Sequence, residues 1–152
     1  VVENSRILVR NRRARHDYHV LEALEVGLVL VGSEIKSIRD GKASLKGSYA
    51  AFDDSGELWV IGIHVSEYAE ARDNHDPDRK RKLLAHSSEL RKIRRKVEEK
   101  GVTLIPLDIH LSRGRAKLLL GLCRGKRQYD KRAAMAERDE KRRLAAAMKH
   151  AR

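Results

Sequence analysis

The chain has 152 residues, 34 Lys and Arg against 22 Asp and Glu, a formal net charge of +12 and 41% hydrophobic residues. That length suits one domain with an appendage, and so basic a balance points to an anionic partner, nucleic acid first. A membrane surface is disfavoured: there is no apolar run of about 18 residues and no amphipathic segment with a bulky apolar face opposite its lysines.

The chain opens on Val1-Val2-Glu3-Asn4, without the cation-then-apolar layout of a secretory signal. With one cysteine, Cys123, no internal disulfide can form, so a cytoplasmic location is expected. Arg6 to Arg10 predicts a short strand, and Asn11 to Tyr18 a turn rich in donors. From Tyr18 to Val31 the residues Tyr18, Val20, Leu24, Val26, Leu28 and Leu30 share one parity, predicting a long bent strand with a bulge at Gly27. Ser33 is expected to cap a short helix with Glu34 at its positive end and Gly41 as its left-handed stop.

Ala43 to Phe52 and Leu58 to Val65 read as two strands joined through Asp53-Asp54-Ser55-Gly56-Glu57, a set of turn formers. Tyr68 to Lys82 is too long a polar stretch to be an idle connection, which predicts an ordered functional loop. A second helix is expected from Ser87 or Ser88 to about Lys100, with Leu90, Ile93 and Val97 inward, a basic outer face and Gly101 as its stop. Val102 to Leu111 and Arg115 to Cys123 predict a hairpin turning at Ser112-Arg113-Gly114, with Thr103, Ile105, Leu107, Ile109 and Leu111 on one side. Pro106 marks an edge or a bulge.

Short strands with frequent turn signals and two helices predict a mainly β fold with helices: an OB-like antiparallel β-barrel over residues 1–125, flanked by short helices. Residues 126–152 form a basic tail. It holds ten Lys and Arg against four Asp and Glu, half of the net charge. Its helix formers and the pairs Glu137 with Lys141 and Asp139 with Arg143 favour a helix, but Leu144 and Met148 are almost its only bulky apolar residues. The tail is therefore expected to be disordered when free and helical on a partner.

Catalytic signals are thin. The seven histidines have no zinc-site spacing, no phosphate-binding glycine loop follows a strand, and Cys123 sits among strand residues as a buried thiol. No metal, cofactor or catalytic residue is expected; a ribonuclease built from His16, Lys36 and His75 would need the fold to gather them. Binding signals are stronger. Arginines can form paired contacts with phosphates and stack on bases, and three groups stand out: Asn11 to Tyr18, Arg79 to Lys82, and Arg124 to Arg132. Scarce aromatic residues argue against a binder that stacks successive bases, leaving recognition of structured RNA by shape and backbone.

The strings Asn11-Arg12-Arg13-Ala14-Arg15-His16-Asp17-Tyr18, Gly32-Ser33-Glu34-Ile35-Lys36-Ser37-Ile38-Arg39 with Gly41-Lys42, Ser48-Tyr49-Ala50, Asp76-Pro77 with Arg81-Lys82-Leu83-Leu84, and Gly121 to Lys126 continuing through Tyr129-Asp130-Lys131-Arg132 resemble the bacterial SsrA-binding protein family, small protein B. They fall in family order over nearly the whole chain, with mild departures at Ala85 and Ser33. The resemblance implies an OB-like barrel with a basic tail, and a non-enzymatic role in trans-translation. Its implied partners are the tRNA-like domain of transfer-messenger RNA, with the protein standing in for the anticodon arm, and the ribosome, whose decoding centre and empty mRNA channel would take the tail. The alternative is a general structured-RNA or ribosome-associated binder. Carried over by motif, Arg12, Arg13, His16, Tyr18, Glu34, Lys36, Arg39, Lys42, Arg124 and Lys126 would face RNA, Tyr129 would stack on a ribosomal base, and Asp130, Lys131 and Arg132 would anchor the tail. Glu34 equally suits a helix N-terminal acid, and Tyr18 and Tyr49 suit core rings with one polar edge.

Overall fold

A computed structural model describes residues 6–126 and 128–150, without the side chains of 128–134 and 150. Strand β1 (Arg6–Arg10) and the four-residue helix α1 (Ala14–Asp17) lead into β2 (Tyr18–Leu28), followed by α2 (Gly32–Arg39). Next come β3 (Ala43–Ser44), β4 (Tyr49–Phe52), β5 (Leu58–Ile61), β6 (His64–Val65) and β7 (Arg81–Leu84). Helix α3 (Ser87–Lys100), the hairpin β8 (Thr103–Ser112) and β9 (Arg115–Gly125), and α4 (Gln128–His150) complete the order.

Seven strands form one antiparallel sheet in the order β1-β8-β4-β5-β7-β2-β9, and β9 pairs back onto β8. One edge of β8 is shared by β4, through Ala50 and Leu104, and by β1, through Asp108 to Leu111. The sheet thus closes partly into a ring. Its interior takes alternate residues of each strand, as period-two side chains require: Val26 and Leu28 of β2 are buried, as are Leu118, Leu120 and Leu122 of β9. Each such side chain contributes roughly 1.5–3 kcal/mol by leaving water. Ile93 of α3 belongs to this core, with Leu90 and Val97 packed against it.

A second, smaller cluster lies on the other face of β8 and β9, where Ala14 of α1 packs with Ile105, Leu107 and Cys123. It exists because the β8–β9 register shifts between Pro106 and Asp108. One extra residue at a bulge reverses which face the following side chains take, so Leu107 and Ile109 lie in different clusters and not on one side as the alternation predicted. The bulge at Pro106 was expected; the one at Gly27 is not found. The irregularity in β2 falls between Val20 and Glu22, while Gly27 pairs with both Lys117 and Leu84. A Cβ on Gly27 would lie 3.2 Å from the Leu84 Cβ.

The predicted strands over Ala43–Phe52 and Leu58–Val65 are each interrupted, at Gly47 (φ +75) and Gly62 (φ +89), where backbone passes close to backbone: a Cβ on Gly62 would lie 3.2 Å from the Ser48 Cα. Both helix stops behave as expected, Gly41 and Gly101 having φ of 74° and 61°. The hairpin turns through Arg113 and Gly114, both at positive φ. Gln128–His150 is helical, as the tail's helix formers favour. Strong local propensity accounts for this, and its described side chains from Met135 to Lys149 are exposed. Among the described residues no helix is long and apolar enough to cross a membrane.

Candidate nucleic-acid interface

The first basic group is built on the β8 bulge. Asn11 donates its backbone N–H to the Leu107 carbonyl and its side-chain amide to the Pro106 carbonyl, both at 2.8 Å. This fixes the turn at Arg12 and Arg13, and the burial of Ala14 seats α1 on the small cluster. Arg12, Arg13 and Arg15 are left exposed, while His16 and Tyr18 are half-buried. His16 Nδ1 lies 2.9 Å from Asp17 Oδ1, and Tyr18 packs against the cluster.

The end of β9 joins this group through space. Tyr18 pairs with Gly125 and His19 with Arg124. Lys126 donates its backbone N–H to the Asp17 carbonyl at 3.0 Å and its ammonium to the Arg15 carbonyl at 2.9 Å. A lysine has three N–H donors, so this bond orients the ammonium and leaves charge for a phosphate. Residues 12 to 18 and 124 to 126 thus form one basic face. Arg10 and Arg15, which the motif reading left out, belong to it: with Arg12 and Asp108 they line a groove of about 430 Å³ over Ile7, Leu107 and Leu119. Only the pairing of β1 with β8 reveals Arg10, because Leu107 and Asp108 are about a hundred positions away in sequence.

Lys36, Arg39 and Lys42 are exposed on and just after α2, which rests on β1 and β6. Lys36 Nζ sits 5.5 Å from the Tyr68 ring centroid, a cation–π distance. These three sit on a separate element from the α1 face. Tyr129, Asp130, Lys131 and Arg132 lie in the first turns of α4, and their side chains fall outside the described residues.

Two expectations are corrected. Glu34 is fully buried, so it does not face RNA. It accepts from Val31 N–H at 2.9 Å, from Arg79 Nε at 2.9 Å and from Arg81 Nε at 2.5 Å, and pairs again with Arg79 Nη2. Burial would raise its pKa, but the hydrogen bonds from Arg79, Val31 and Arg81 outweigh that and hold the carboxyl below the ordinary range. Nor are the loop cations a free patch. Besides Arg79 and the buried Arg81 on Glu34, Lys80 lies 4.6 Å over the Trp59 ring and Lys82 lies 3.2 Å from Glu57. Each of the four cations in a row has a partner that the folded chain supplies.

The imagined ribonuclease trio does not form. His75 is buried, its Nε2 donating to the Val65 carbonyl and its Nδ1 accepting from Ser33 Oγ, each at 2.8 Å. Both of its ring nitrogens are taken up within the chain, between α2 and β6. The same bond takes Ser33 away from capping; the N-cap of α2 is Val31. Tyr49, expected as a core ring, is 46% exposed. Its position directly after Gly47-Ser48 and one residue from the buried Ala50 was the available signal.

Residues 8–150 match the family model described as SmpB protein. The SsrA-binding protein of Desulfitobacterium hafniense is 52% identical over 143 residues, covering 93% of this chain and 91% of that protein. The SsrA-binding protein of Limosilactobacillus fermentum is 47% identical over 148 residues, covering 97% and 94%. A solved structure described as "tmRNA-SmpB: a journey to the center of the bacterial ribosome" is 50% identical with a TM-score of 0.66, covering 83% of this chain and 92% of that one.

Proposed function

Since the chain belongs to the SmpB family, we propose that the face joining residues 12 to 18 with 124 to 126 is where it engages transfer-messenger RNA. The protein binds transfer-messenger RNA and works in trans-translation on the ribosome, as an RNA-binding partner and not an enzyme. The observation that supports the assignment of the face is the gathering of Arg10, Arg12 and Arg15 around one groove, with Lys126 bonded to the Arg15 carbonyl and Arg124 paired with His19 at the adjoining strand end. Guanidinium groups on a rigid sheet and short helix suit the phosphates of a folded RNA.

His16 and Tyr18 add a polar ring edge to that face. Lys36, Arg39 and Lys42 extend the contact along α2, and Glu34 acts from beneath by holding Arg79. The body is an OB-like barrel, the protein stands in for an anticodon arm, and the segment from Tyr129 through Arg132 starts a ribosome-reading tail in the mRNA channel. A cytoplasmic location follows from that role.

Competition binding of transfer-messenger RNA against bulk tRNA, across a salt series, tests the reading. The expected result is a preference for transfer-messenger RNA at every salt concentration, on top of a shared electrostatic slope. Arg12→Gln should lower that slope by about one without changing the preference. Equal affinity for unrelated structured RNAs at matched salt would replace the proposal with general RNA binding.

A further inference from the structure

Beside the basic face lies a groove that no phosphate contact explains. It measures about 250 Å³ and is lined by Asn11, Arg13, Ser48, Tyr49, Thr103 and neighbours on α1 and β8. Two remote segments meet there: the turn before β4 and the turn before α1. The first is rigid. Ser48 donates Oγ–H to the Leu45 carbonyl at 2.6 Å and its backbone N–H to the same carbonyl at 3.0 Å, Gly47 has φ +75, and Gly62 packs against Ser48 and Gly47 too closely for a Cβ. Tyr49 is thus presented on fixed backbone, yet its ring is 46% exposed.

The polar atoms around that ring are those a base edge and a phosphate need. Asn11 spends its amide N–H on the Pro106 carbonyl, which leaves its side-chain carbonyl as an acceptor. The exposed Thr103 brings a hydroxyl, and the exposed Arg13 a guanidinium whose Nη2 lies 3.7 Å from Asp17 Oδ1 at the wall of the same groove, leaving its other N–H groups for a phosphate. A groove under the roughly 300–1,000 Å³ of drug-sized sites suits one flat ring. Unpaired bases of RNA loops are recognised in this manner, by stacking on an aromatic face with hydrogen bonds to their edges.

We infer that this groove is a single-nucleobase site: an unpaired base of the bound RNA stacks on Tyr49, its edge meeting Asn11 and Thr103, while Arg13 takes the adjoining phosphate. The inference rests on the proposed RNA-binding face and adds to it a contact with base identity.

Binding of the full-length chain to transfer-messenger RNA over a salt series, for wild type, Tyr49→Ala, Tyr49→Leu, Tyr49→Phe and Arg13→Gln, separates stacking from charge. Tyr49→Ala should weaken binding about tenfold or more at every salt and leave the salt slope unchanged. Tyr49→Leu, which keeps the bulk of the side chain, should lose as much and serves if the alanine variant unfolds. Tyr49→Phe should stay within about twofold of wild type, since it retains the stacking face. Arg13→Gln should instead lower the slope by about one. Wild-type affinity in both Tyr49→Ala and Tyr49→Leu, or a Tyr49→Phe as weak as they are, would overturn the site. If wild type showed no preference for transfer-messenger RNA over bulk tRNA, the proposed function would fall with it; a silent Tyr49 beside an intact preference removes the base site alone.

Discussion

Glu34 shows how a buried charge can serve a surface it never reaches. Its carboxylate holds Arg79 and the fully buried Arg81, and Arg81 also donates to the carbonyls of Ile63, Pro77 and Arg79. One acid on α2 therefore ties β7 and the end of the long loop together. Removing one member of such a group leaves the others uncompensated, so Glu34→Gln should destabilise the protein by about 3–5 kcal/mol in urea unfolding. The acid response follows from the sign of the shift. Because the folded-state pKa lies below the ordinary glutamate value, this contribution is full above that value and is lost as pH falls through the folded pKa. Wild type should lose stability in acid more steeply than Glu34→Gln, and parallel pH profiles would remove Glu34 from the account. His110 is shifted the other way. Burial alone would lower its pKa, but bonds to Glu25 at 2.7 Å and Asp108 at 2.6 Å raise it. None of these pairings is visible in sequence, where Glu34 and Arg79 stand 45 positions apart.

At the scale of elements, β9 decides most of what the site looks like. Leu122 faces the main core and Cys123 the cluster beneath α1, so adjacent residues of one strand support the interior of the sheet's ring and the basic helix on opposite faces. Gly121 makes the second packing possible. A Cβ there would lie 3.1 Å from Cγ and Cδ1 of Leu107 and 3.0 Å from the sulfur of Cys123. Gly121→Val should therefore overpack the small cluster and cost about 1–3 kcal/mol in thermal or urea unfolding. An unchanged stability would mean that Leu107 swings away freely. The strands and helices themselves were legible, because their periods depend on near neighbours: β2 keeps its predicted parity from Leu24 to Leu28, while Tyr18 and Val20 turn to the smaller cluster, and α3 keeps its Leu90, Ile93 and Val97 face. The bulge in β2 was not legible, since a register shift belongs to a pair of strands and only one of them was being read.

For the whole molecule, the basic stretch after β9 is a junction with a definite edge. Lys126 is bonded to Asp17 and Arg15, so the folded body takes in Lys126 as well as the strand end at Gly125. A chain ending after Lys126 should bind transfer-messenger RNA close to wild type and fail to support tagging on stalled ribosomes, while one ending at Gly125 should bind more weakly. Full tagging by the shorter chains would sink the tail's proposed role. Composition and motif order by themselves determined the class of partner, the family, the run of strands and helices, and the helical tail, all of them properties of local pattern and total charge. Tertiary structure alone decided which cations are free. Arg79 to Lys82 meet Glu34, Trp59 and Glu57, whereas Arg12 and Arg15 stand exposed around one groove and Tyr49 stands exposed beside Arg13, which pairs with Asp17 one turn on. The physical reason is that a charge is neutralised by what lies within a few ångströms of it, and for most of these side chains that neighbour is distant in sequence.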